Sequence, residues 1–262
     1  MTANAMHVAK SGLNAQQIRM QVIANNLANV NTSGFKKDRA NFETLLYQVR
    51  RYSGDLTSEN TRLNSSFAIG TGTKIVNTEK MHSQGSLMMT ENALDMAIEG
   101  SGFFQLLMPD DRIAYTRNGS FSRNAEGTLV TSSGYIIQPE IQIPDDATSI
   151  NVSANGTVSV SVPGQTEAQE VGQLTLADFS NLSGLQPIGQ NFLVETEASG
   201  AAIIANPLEQ GFGKIVQGAL ESSNVNVVQE LVDMIETQRA YEVSSKAITA
   251  VDDMLRFISN NL

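Results

Sequence analysis

The sequence contains no cysteine, no tryptophan and only two histidines among its 262 residues. Without thiols, the chain cannot form disulfide bonds, thiolate metal sites or a cysteine nucleophile. The two histidines, His7 and His82, lie far apart in the chain, which argues against a histidine-rich metal site and against a proton relay. We therefore expect no metal site.

The sequence also lacks long apolar runs and an excess of positive charge. No stretch approaches the roughly 18–20 apolar residues that a membrane helix needs, so we expect no membrane insertion. The first residues lack the continuous apolar core of a secretory signal peptide. The net charge of −10 argues against a general nucleic-acid-binding protein. With 41% apolar residues, the chain is long enough for one large core or two modest ones.

Charge is distributed unevenly along the chain. Residues 1–63 carry eight lysines and arginines against four acids, residues 64–218 carry six against sixteen, and residues 219–262 carry three against seven. The two ends therefore have opposite sign, which would favour their pairing, although salt screens such an attraction. Random scatter over solvated faces explains the pattern equally well.

Proline and glycine are absent from the end of the chain. All six prolines lie between Pro109 and Pro207, and neither residue type follows Gly218. A segment of 44 residues without either favours a long uninterrupted helix. Asn226 is a suitable N-cap, with Gln229 three residues later as in a capping box. About 35 residues at ~1.5 Å each predict a helix of roughly 50 Å.

Both chain ends carry apolar side chains at heptad spacing. The C-terminal stripe consists of residues that recur every seven positions and of others that widen it: Val227, Val228, Leu231, Met234, Ile235, Tyr241, Ile248, Val251, Leu255, Ile258 and Leu262. The N-terminal stripe is built in the same way from Met6, Ala9, Leu13, Gln16, Met20, Ile23, Leu27 and Val30. This spacing predicts one helix at each end, each with a single apolar face.

Four asparagines, Asn25, Asn26, Asn29 and Asn31, lie where the N-terminal helix is expected to end. Asparagine is a poor helix former, and together with Gly34 it favours the left-handed conformation that stops a helix. This density of asparagine indicates side chains bonded to the backbone or to a partner, or else a frayed helix end.

A long helix with one apolar stripe is not stable alone. Each side chain of the stripe contributes about 1.5–3 kcal/mol only when a partner covers it. The simplest partner is the other terminal helix, and because two stripes make only a narrow pair, we expect further copies of the chain to join them. The alternative is that both helices pack on the middle of the same chain.

The middle of the chain has the pattern of a β domain. Short apolar or alternating segments are separated by turn residues such as Asn118-Gly119 and Asn155-Gly156. The segments expected to form strands are 103–108, 113–115, 120–122, 129–130, 135–137, 150–153, 158–162, 174–176 and 192–194. Their spacing predicts an antiparallel sandwich or a partly open barrel. Before them, Tyr47–Leu63 is polar, has no stripe, and is expected to be a loop or an extended arm.

Little in the sequence indicates catalysis. Gly70–Lys74 does not have the spacing of a phosphate-binding loop. Acidic pairs such as Asp110-Asp111 are adjacent in sequence, whereas glycosidase chemistry needs two carboxylates that face each other across a cleft. His82 has no visible second group and is expected to make a polar contact. We therefore predict no enzyme activity and no cofactor.

Several stretches resemble the bacterial flagellar rod and hook protein family, and the resemblance covers nearly the whole chain. Near the N-terminus the matching stretch is VIANNLANVNTSGFK at 22–36. Near the C-terminus the matching stretches are ESSNVNVVQELV at 221–232 and MIETQRAYE at 234–242. The matches in the middle are IGTG at 69–72, HSQG at 82–85, GSGFF at 100–104 and AYTRNGSF at 114–121.

The resemblance implies an α+β fold, mainly β, in which long N- and C-terminal helices form a coiled coil around a hollow axial tube. A central antiparallel β domain would lie outside the tube. The expected divisions are an N-terminal helix at residues 1–36, an extended connecting arm at 37–70, the β domain at 71–218 and a C-terminal helix at 219–262. The insert at 47–63 is similar to the stretch thought to make the distal rod straight and stiff.

The function that the resemblance implies is that of a structural subunit of the distal rod of the flagellar basal body. Subunits would self-assemble into a stiff hollow helical tube that transmits motor torque to the hook and forms part of the export channel. The expected partners are other copies of the chain, proximal-rod and hook subunits, the ring proteins of the basal body and the flagellar type III export apparatus. The rod would cross the periplasmic space, and its subunits would be exported without a cleaved signal peptide.

Three groups of residues are expected to carry this function. The residues expected at helix and subunit interfaces are Met6, Leu13, Met20, Ile23, Leu27, Val30, Val227, Leu231, Met234, Ile235, Tyr241, Ile248, Val251, Leu255 and Ile258. The residues of the family signature are Asn25, Asn26, Leu27, Asn29, Gly34, Phe35, Gln238, Arg239, Ala240 and Tyr241. The residues of the rod-specific stretch are Tyr47, Arg50, Arg51, Tyr52 and Leu63.

Two other functions remain open from the sequence. Within the same family, the chain could be a proximal-rod or hook subunit. In a different class, it could be a monomeric β-domain adhesin or binding module with accessory helices.

Overall fold

The structure is a computed structural model that describes residues 2–53, 56–58, 61–62, 64–163 and 168–260. Over these residues the protein is mainly β, with one α-helix near each end of the chain and antiparallel sheets between them, as the sequence predicts. The chain divides into two compact units. The helical unit consists of Met1–Ala28, Asp38–Glu79 and Asn226–Leu262, and the β unit consists of Asn29–Lys37 and Lys80–Val225.

The helical unit contains both helices. Helix α1 spans Thr2–Ala28 and helix α2 spans Val227–Asn260. Helix α1 ends directly before the segment 29–34, where asparagine and glycine predict a stop, so Val30 of the expected stripe lies beyond the helix. Helix α2 has 34 residues, close to the predicted length. No helix among the described residues is both long enough and apolar enough to cross a membrane.

The predicted N-cap of α2 is confirmed. Asn226 Oδ1 accepts hydrogen bonds from the backbone N–H of Val228 at 3.0 Å and of Gln229 at 3.2 Å. The Gln229 side chain does not complete a capping box, because its amide donates to Asp233 Oδ1, one turn further along, at 3.1 Å. The cap satisfies two of the N–H groups that the first turn of a helix leaves without intrahelical acceptors.

Six strands complete the described part of the helical unit, and they form three pairs. They are β1 (Asp38–Thr44), β2 (Tyr47–Arg51), β3 (Leu56–Ser58), β4 (Thr61–Arg62), β5 (Phe67–Gly70) and β6 (Thr73–Lys80), the last residue of which begins the β unit. Strand β1 pairs with β6, β2 with β5, and β3 with β4. The expected arm is therefore extended where it is described, since its start is strand β2, whose antiparallel partner is β5.

Sixteen strands and one short 3₁₀ helix, Leu182–Gly184, form the described part of the β unit. The strands are β7 (Leu87–Met89), β8 (Met96–Glu99), β9 (Phe104–Leu107), β10 (Ile113–Thr116), β11 (Phe121–Arg123), β12 (Leu129–Thr131), β13 (Ile136–Gln138), β14 (Ser149–Val152), β15 (Thr157–Ser161), β16 (Gln169–Gln173), β17 (Leu176–Asp178), β18 (Gln186–Gly189), β19 (Phe192–Val194), β20 (Ile203–Ala205), β21 (Lys214–Gln217) and β22 (Ala219–Glu221). They are short, as expected from turn signals at close spacing.

Seven of these strands form one antiparallel sheet with the order β11-β12-β13-β9-β10-β19-β18. Strands β14, β15 and β16 form a second sheet, and the remaining strands pair as β17 with β20, β21 with β8, and β22 with β7. The main core of the β unit includes Phe104, Leu106, Ile137 and Leu176, all fully buried. The inward side chains of β9, β13 and β17 therefore meet in one apolar interior.

Of the two turn signals Asn118-Gly119 and Asn155-Gly156, only the second joins strands that pair with each other. Asn155-Gly156 connects β14 to β15, which pair antiparallel. Asn118-Gly119 lies between β10 and β11, but these strands are not neighbours in the sheet. At Gly119 the chain instead passes close to another segment, since an added Cβ would lie 1.5 Å from the backbone oxygen of Met96. Glycine is required there by close backbone approach rather than by a hairpin turn.

Candidate assembly surfaces

The two helices of the helical unit lie side by side and run antiparallel. Asn26 of α1 is hydrogen-bonded to Glu230 of α2, whereas Gly12 lies next to Ser244. The later residue of α1 is therefore next to the earlier residue of α2, which shows that the two helices run in opposite directions. The helices thus contact each other within a single chain, as the sequence predicts for the terminal segments.

One face of α2 forms this seam. Its buried and half-buried residues, which also include Asp233, Ala240 and Asp252, contain a series at alternating spacings of four and three: Glu230, Met234, Thr237, Tyr241, Ser244, Ile248 and Val251. Every second residue in this series is polar except Val251 at the end. The spacing is that of a coiled-coil seam, but its polar positions contribute less apolar burial than leucine or isoleucine would.

A polar junction lies where the end of α1 meets the start of α2. Asn26 and Glu230 are each only 1% exposed, and Asn26 Nδ2 donates to Glu230 Oε2 at 3.2 Å. The Asn26 side chain also bonds to both backbone groups of Asp38: its Nδ2 donates to the Asp38 carbonyl and its Oδ1 accepts from the Asp38 N–H, both at 2.9 Å. Asn25 Nδ2 also donates to the Asp38 carboxylate, at 3.3 Å. The asparagines at 25 and 26 therefore bond to backbone and side-chain partners, which was one of the two predicted alternatives.

A second apolar face of α2 is open to solvent. It comprises five residues of the first three turns that are between 40% and 71% exposed: Val227, Val228, Leu231, Val232 and Ile235. At about 100° per residue this face lies roughly 140° around the helix from the seam. We call it the apolar face of α2. The predicted C-terminal stripe is thus divided, with Met234, Tyr241, Ile248 and Val251 at the seam and Val227, Leu231 and Ile235 in solvent.

An open groove of about 310 Å³ runs beside α1 in the helical unit. Its lining includes Ile18, Val22 and Asn25 of α1, together with Asp38 of β1 and Thr78 of β6. The groove therefore combines aliphatic side chains with polar groups at its edge. A concave, partly apolar surface of this kind is suited to contact with a convex apolar partner.

The other interface residues predicted in α1 lie along the helix. Ile23 is buried, whereas Met6, Leu13, Met20 and Leu27 are half-buried. The side chains of two residues predicted near the end of α2, Leu255 and Ile258, lie outside the described residues, as does Leu63 of the rod-specific stretch.

Residues 47–53 of the rod-specific stretch are exposed. Tyr47, Arg50, Arg51 and Tyr52 are all exposed, and Phe67 on the paired strand β5 is 58% exposed. Aromatic and guanidinium groups together make a surface that can stack on and hydrogen-bond to another protein. The helical unit therefore presents a second candidate contact surface besides the apolar face of α2.

The remaining signature residues fall into two groups. Gln238 and Arg239 of α2 are exposed, and Ala240 is half-buried beside Tyr241 in the seam. Asn29, Gly34 and Phe35 do not belong to the helix pair, because they lie in the β unit.

A buried ion cluster is the feature of the β unit that the sequence did not reveal. Lys36 Nζ is 2.6 Å from Glu221 Oε1, and both side chains are almost fully buried. Arg117 Nη1 lies 3.5 Å from Glu221 Oε2, and the Gly85 N–H donates to Glu221 Oε1 at 2.8 Å. Gly34 N–H donates to the Glu221 carbonyl at 2.8 Å. We call Lys36, Arg117 and Glu221 the ion cluster.

The ion cluster joins two segments that are 185 residues apart in sequence. Lys36 and Glu221 belong to the two signature stretches of opposite chain ends, and the uneven charge of those ends was the available signal for their pairing. A second bond joins the same segments, because the Lys37 N–H donates to Asn224 Oδ1 at 2.8 Å. The signature residues therefore hold these two segments together in the β unit, in addition to making the contacts between the helices.

Burial shifts the protonation of the basic groups in this region. Desolvation lowers the pKa of Lys36 and of Arg117 from their ordinary values, and the Glu221 carboxylate acts in the opposite direction on both. Desolvation, followed by repulsion from Lys36, Arg117 and Lys80, lowers the pKa of His82 to about 4. His82 is thus neutral near pH 7, and its ring lies edge-on to that of Phe103 with the two ring centroids 5.7 Å apart. Among the described residues no group of three His, Asp or Glu side chains could hold a metal ion.

Three family models match this chain, all of flagellar rod and hook proteins. Residues 6–36 match the model described as Flagella basal body rod protein. Residues 97–160 match the Flagellar hook protein FlgE/F/G D1 domain. Residues 216–262 match the Flagellar basal body rod FlgEFG protein C-terminal model.

The chain is similar over nearly its full length to flagellar basal-body rod proteins named FlgG. The chain is 51% identical over 255 residues to the flagellar basal-body rod protein FlgG of Buchnera aphidicola subsp. Acyrthosiphon pisum, covering 97% of this chain and 98% of that protein. It is 44% identical over 256 residues to FlgG of Caulobacter vibrioides, with 97% and 98% coverage. By contrast, the match to the flagellar hook protein FlgE of Helicobacter pylori, at 38% identity, covers 49% of this chain and 18% of that protein.

Proposed function

Since the chain belongs to the FlgG family of flagellar basal-body rod proteins, we propose that it is the structural subunit of the distal part of the rod. Its copies assemble into a stiff, hollow helical tube that transmits motor torque to the hook and forms part of the export channel. The subunit acts as a structural element without catalysis or a cofactor. The sequence left open a proximal-rod or hook subunit and a monomeric adhesin. Relatives that match over their full length as rod proteins argue against the hook subunit and the adhesin, and a proximal-rod subunit is the second candidate.

The apolar face of α2 is the observation that carries this proposal. Five aliphatic side chains at least 40% exposed on one helix surface are costly in water unless a partner covers them. The seam with α1 uses a different surface of α2, so the partner is a second copy of the chain.

The groove beside α1 is the surface that we propose receives this face. The groove is lined by Ile18 and Val22 and belongs to the same helical unit as the apolar face of α2. The groove and the apolar face are two different surfaces of one chain. A contact between two different surfaces repeats from copy to copy without closing on itself, and such heterologous contacts generate helical filaments. An assembled rod follows from this asymmetry.

The seam between α1 and α2 extends, in this proposal, into a coiled coil lining the tube. The alternating spacing in α2 supports coiled-coil packing, and neighbouring copies supply the aliphatic contacts that the polar seam positions lack. The exposed stretch 47–52 and strand β5 would contact the next subunit and stiffen the lattice. Proximal-rod and hook subunits would adjoin the two ends of this polymer.

The remaining partners follow from the position of a basal-body rod. Such a rod crosses the periplasmic space, where the ring proteins of the basal body surround it. The subunits reach the growing tip through the flagellar type III export apparatus. The absence of cysteine is compatible with passage through a narrow channel.

The decisive experiment compares two identical substitutions in α2. Val232→Asp places a charge within the apolar face, and Val243→Asp places one on an exposed valine about two turns beyond it. We expect Val232→Asp to abolish polymer formation by the purified protein and motility in a strain lacking the native gene. We expect Val243→Asp to retain both, with the circular dichroism of both monomers unchanged. Polymers of Val232→Asp indistinguishable from those of the wild type would contradict the proposal.

A further inference from the structure

A cavity of about 240 Å³ lies within the β unit, beside the half of the N-terminal signature that the helix pair does not use. Asn29, Gly34, Phe35 and Lys36 form part of its wall. The opposite wall comes from the segment around Asn191. The volume exceeds the about 150 Å³ of an engineered cavity that holds benzene, so the side chain of a glutamate fits within it.

The charged residues that line this cavity are all basic, and two of them, Lys36 and Arg117, also pair with Glu221, which does not line it. Lys36, Lys80 and Arg117 line it, and no aspartate or glutamate occurs among the lining residues that the structure describes. The apolar residues of its lining include Phe35, Phe103, Phe192 and Leu193. A partly enclosed pocket strengthens the attraction between these cations and an anion, because less water screens it there than on an open surface.

One N–H group of the Arg117 guanidinium has no hydrogen-bond acceptor. The residue is 7% exposed, and its Nη2 donates to the Gly100 carbonyl at 2.7 Å. Its Nε is buried and has no hydrogen-bond partner. A buried N–H without an acceptor destabilises a protein by about 1–3 kcal/mol, and more in a charged group. A carboxylate placed in the cavity would offset the charge of this guanidinium group.

Left-handed residues shape the wall opposite the signature. Gly189, Gln190 and Asn191 have φ angles of 100°, 55° and 60°, and only the first is a glycine. Each non-glycine residue in this conformation costs of order 1 kcal/mol or more. Asn191 Nδ2 donates to the Ser33 carbonyl at 3.1 Å, which holds this wall against the signature turn. The cavity is therefore preformed in the folded chain.

We propose that this cavity is a carboxylate-binding site, occupied by an aspartate or glutamate side chain of a neighbouring copy of the chain. The inference rests on the proposed function, because only an assembling subunit brings a second copy into place. Residues 64–218 carry sixteen acids and six bases, so an approaching copy presents carboxylates in excess. Opposite charges on the two surfaces steer their encounter and fix their register.

The first test measures binding to the full-length monomer, using glutarate as the probe and uncharged glutaramide at equal ionic strength as its control. Glutarate binding is followed by calorimetry and by the Nε–H resonance of Arg117. Lys80→Met removes one cation from the cavity, and the matched variant Lys74→Met removes one from an exposed ion pair with Glu43. We expect saturable glutarate binding that Lys80→Met weakens at least tenfold and Lys74→Met changes less than twofold.

The second test measures polymer growth by light scattering. We expect glutarate, and not glutaramide, to slow growth of the wild type, and we expect Lys80→Met to raise the critical concentration at least fivefold more than Lys74→Met. Absence of saturable glutarate binding would overturn the site. If glutarate binds but does not affect polymer growth, the proposal that a neighbouring copy occupies the cavity would be wrong. Failure of the wild type to polymerise despite binding would instead refute the proposed function, and with it this occupant.

Discussion

Lys36 and Glu221 form a buried ion pair of 2.6 Å between segments from opposite ends of the chain. Each also bonds to the backbone of the HSQG stretch: Lys36 Nζ donates to the Ser83 carbonyl at 2.8 Å, and the Gly85 N–H donates to Glu221. Gly85 itself approaches the Ser222 backbone so closely that an added Cβ would lie 1.9 Å from its oxygen. Three stretches that carry the family resemblance therefore converge on one buried charge pair.

Removal of one charge from this pair is expected to destabilise the protein strongly. Glu221→Gln keeps the shape of the side chain but leaves Lys36 and Arg117 buried without their shared carboxylate. We expect the free energy of unfolding in urea to fall by about 3–5 kcal/mol. The matched control is Glu99→Gln, which breaks a half-exposed pair with Lys214 and should cost less than about 1 kcal/mol. Equal effects of the two substitutions would show that burial does not determine the contribution of the pair.

The junction between the helices should depend on Asn26. Asn26→Ala removes three hydrogen bonds, leaving both backbone groups of Asp38 and the Glu230 carboxylate with one bond fewer. We expect the free energy of unfolding to fall by about 2–3 kcal/mol. Asn14→Ala, the same change at an exposed position of α1, should alter it by less than about 0.5 kcal/mol. An unaltered urea midpoint for Asn26→Ala would mean that the junction contributes nothing to stability.

Acid should weaken the folded state through His82. Its pKa is about 4 in the folded protein and about 6.5 when unperturbed, so between these values the unfolded chain binds more protons than the folded chain. Stability therefore falls as pH falls from 6.5 to 4, by up to about 3 kcal/mol, and this contribution is fully present above pH 6.5.

The measurement for His82 is a pair of urea-unfolding series across pH 4–7. The curve for His82→Gln should lack this pH-dependent contribution, so the difference between wild type and variant should change steadily across the range. An NMR titration of the His82 ring provides the direct check. A midpoint near 6.5 in the folded protein would contradict the burial effect described here.

The terminal helices could be predicted from the sequence because their signals are local. Heptad spacing, the lack of glycine and proline after Gly218, and the N-cap at Asn226 each act within a few residues. The strands β9, β10 and β19 were predicted for the same reason, since apolar segments bounded by turn residues define them. The short strands β8, β21 and β22 lack such a pattern, because their side chains are selected by burial against segments distant in sequence.

The sequence by itself determined that this chain has an amphipathic helix at each end, a β-rich middle and the motifs of a flagellar rod protein. Only the tertiary structure decided which side chains of α2 face α1 and which remain open, since a heptad repeat does not reveal how many partners surround a helix. It also decided that Lys36 meets Glu221 and that Lys36, Lys80 and Arg117 surround one cavity. Such contacts join residues far apart in sequence, and their energies arise from burial that exists only after the chain has folded.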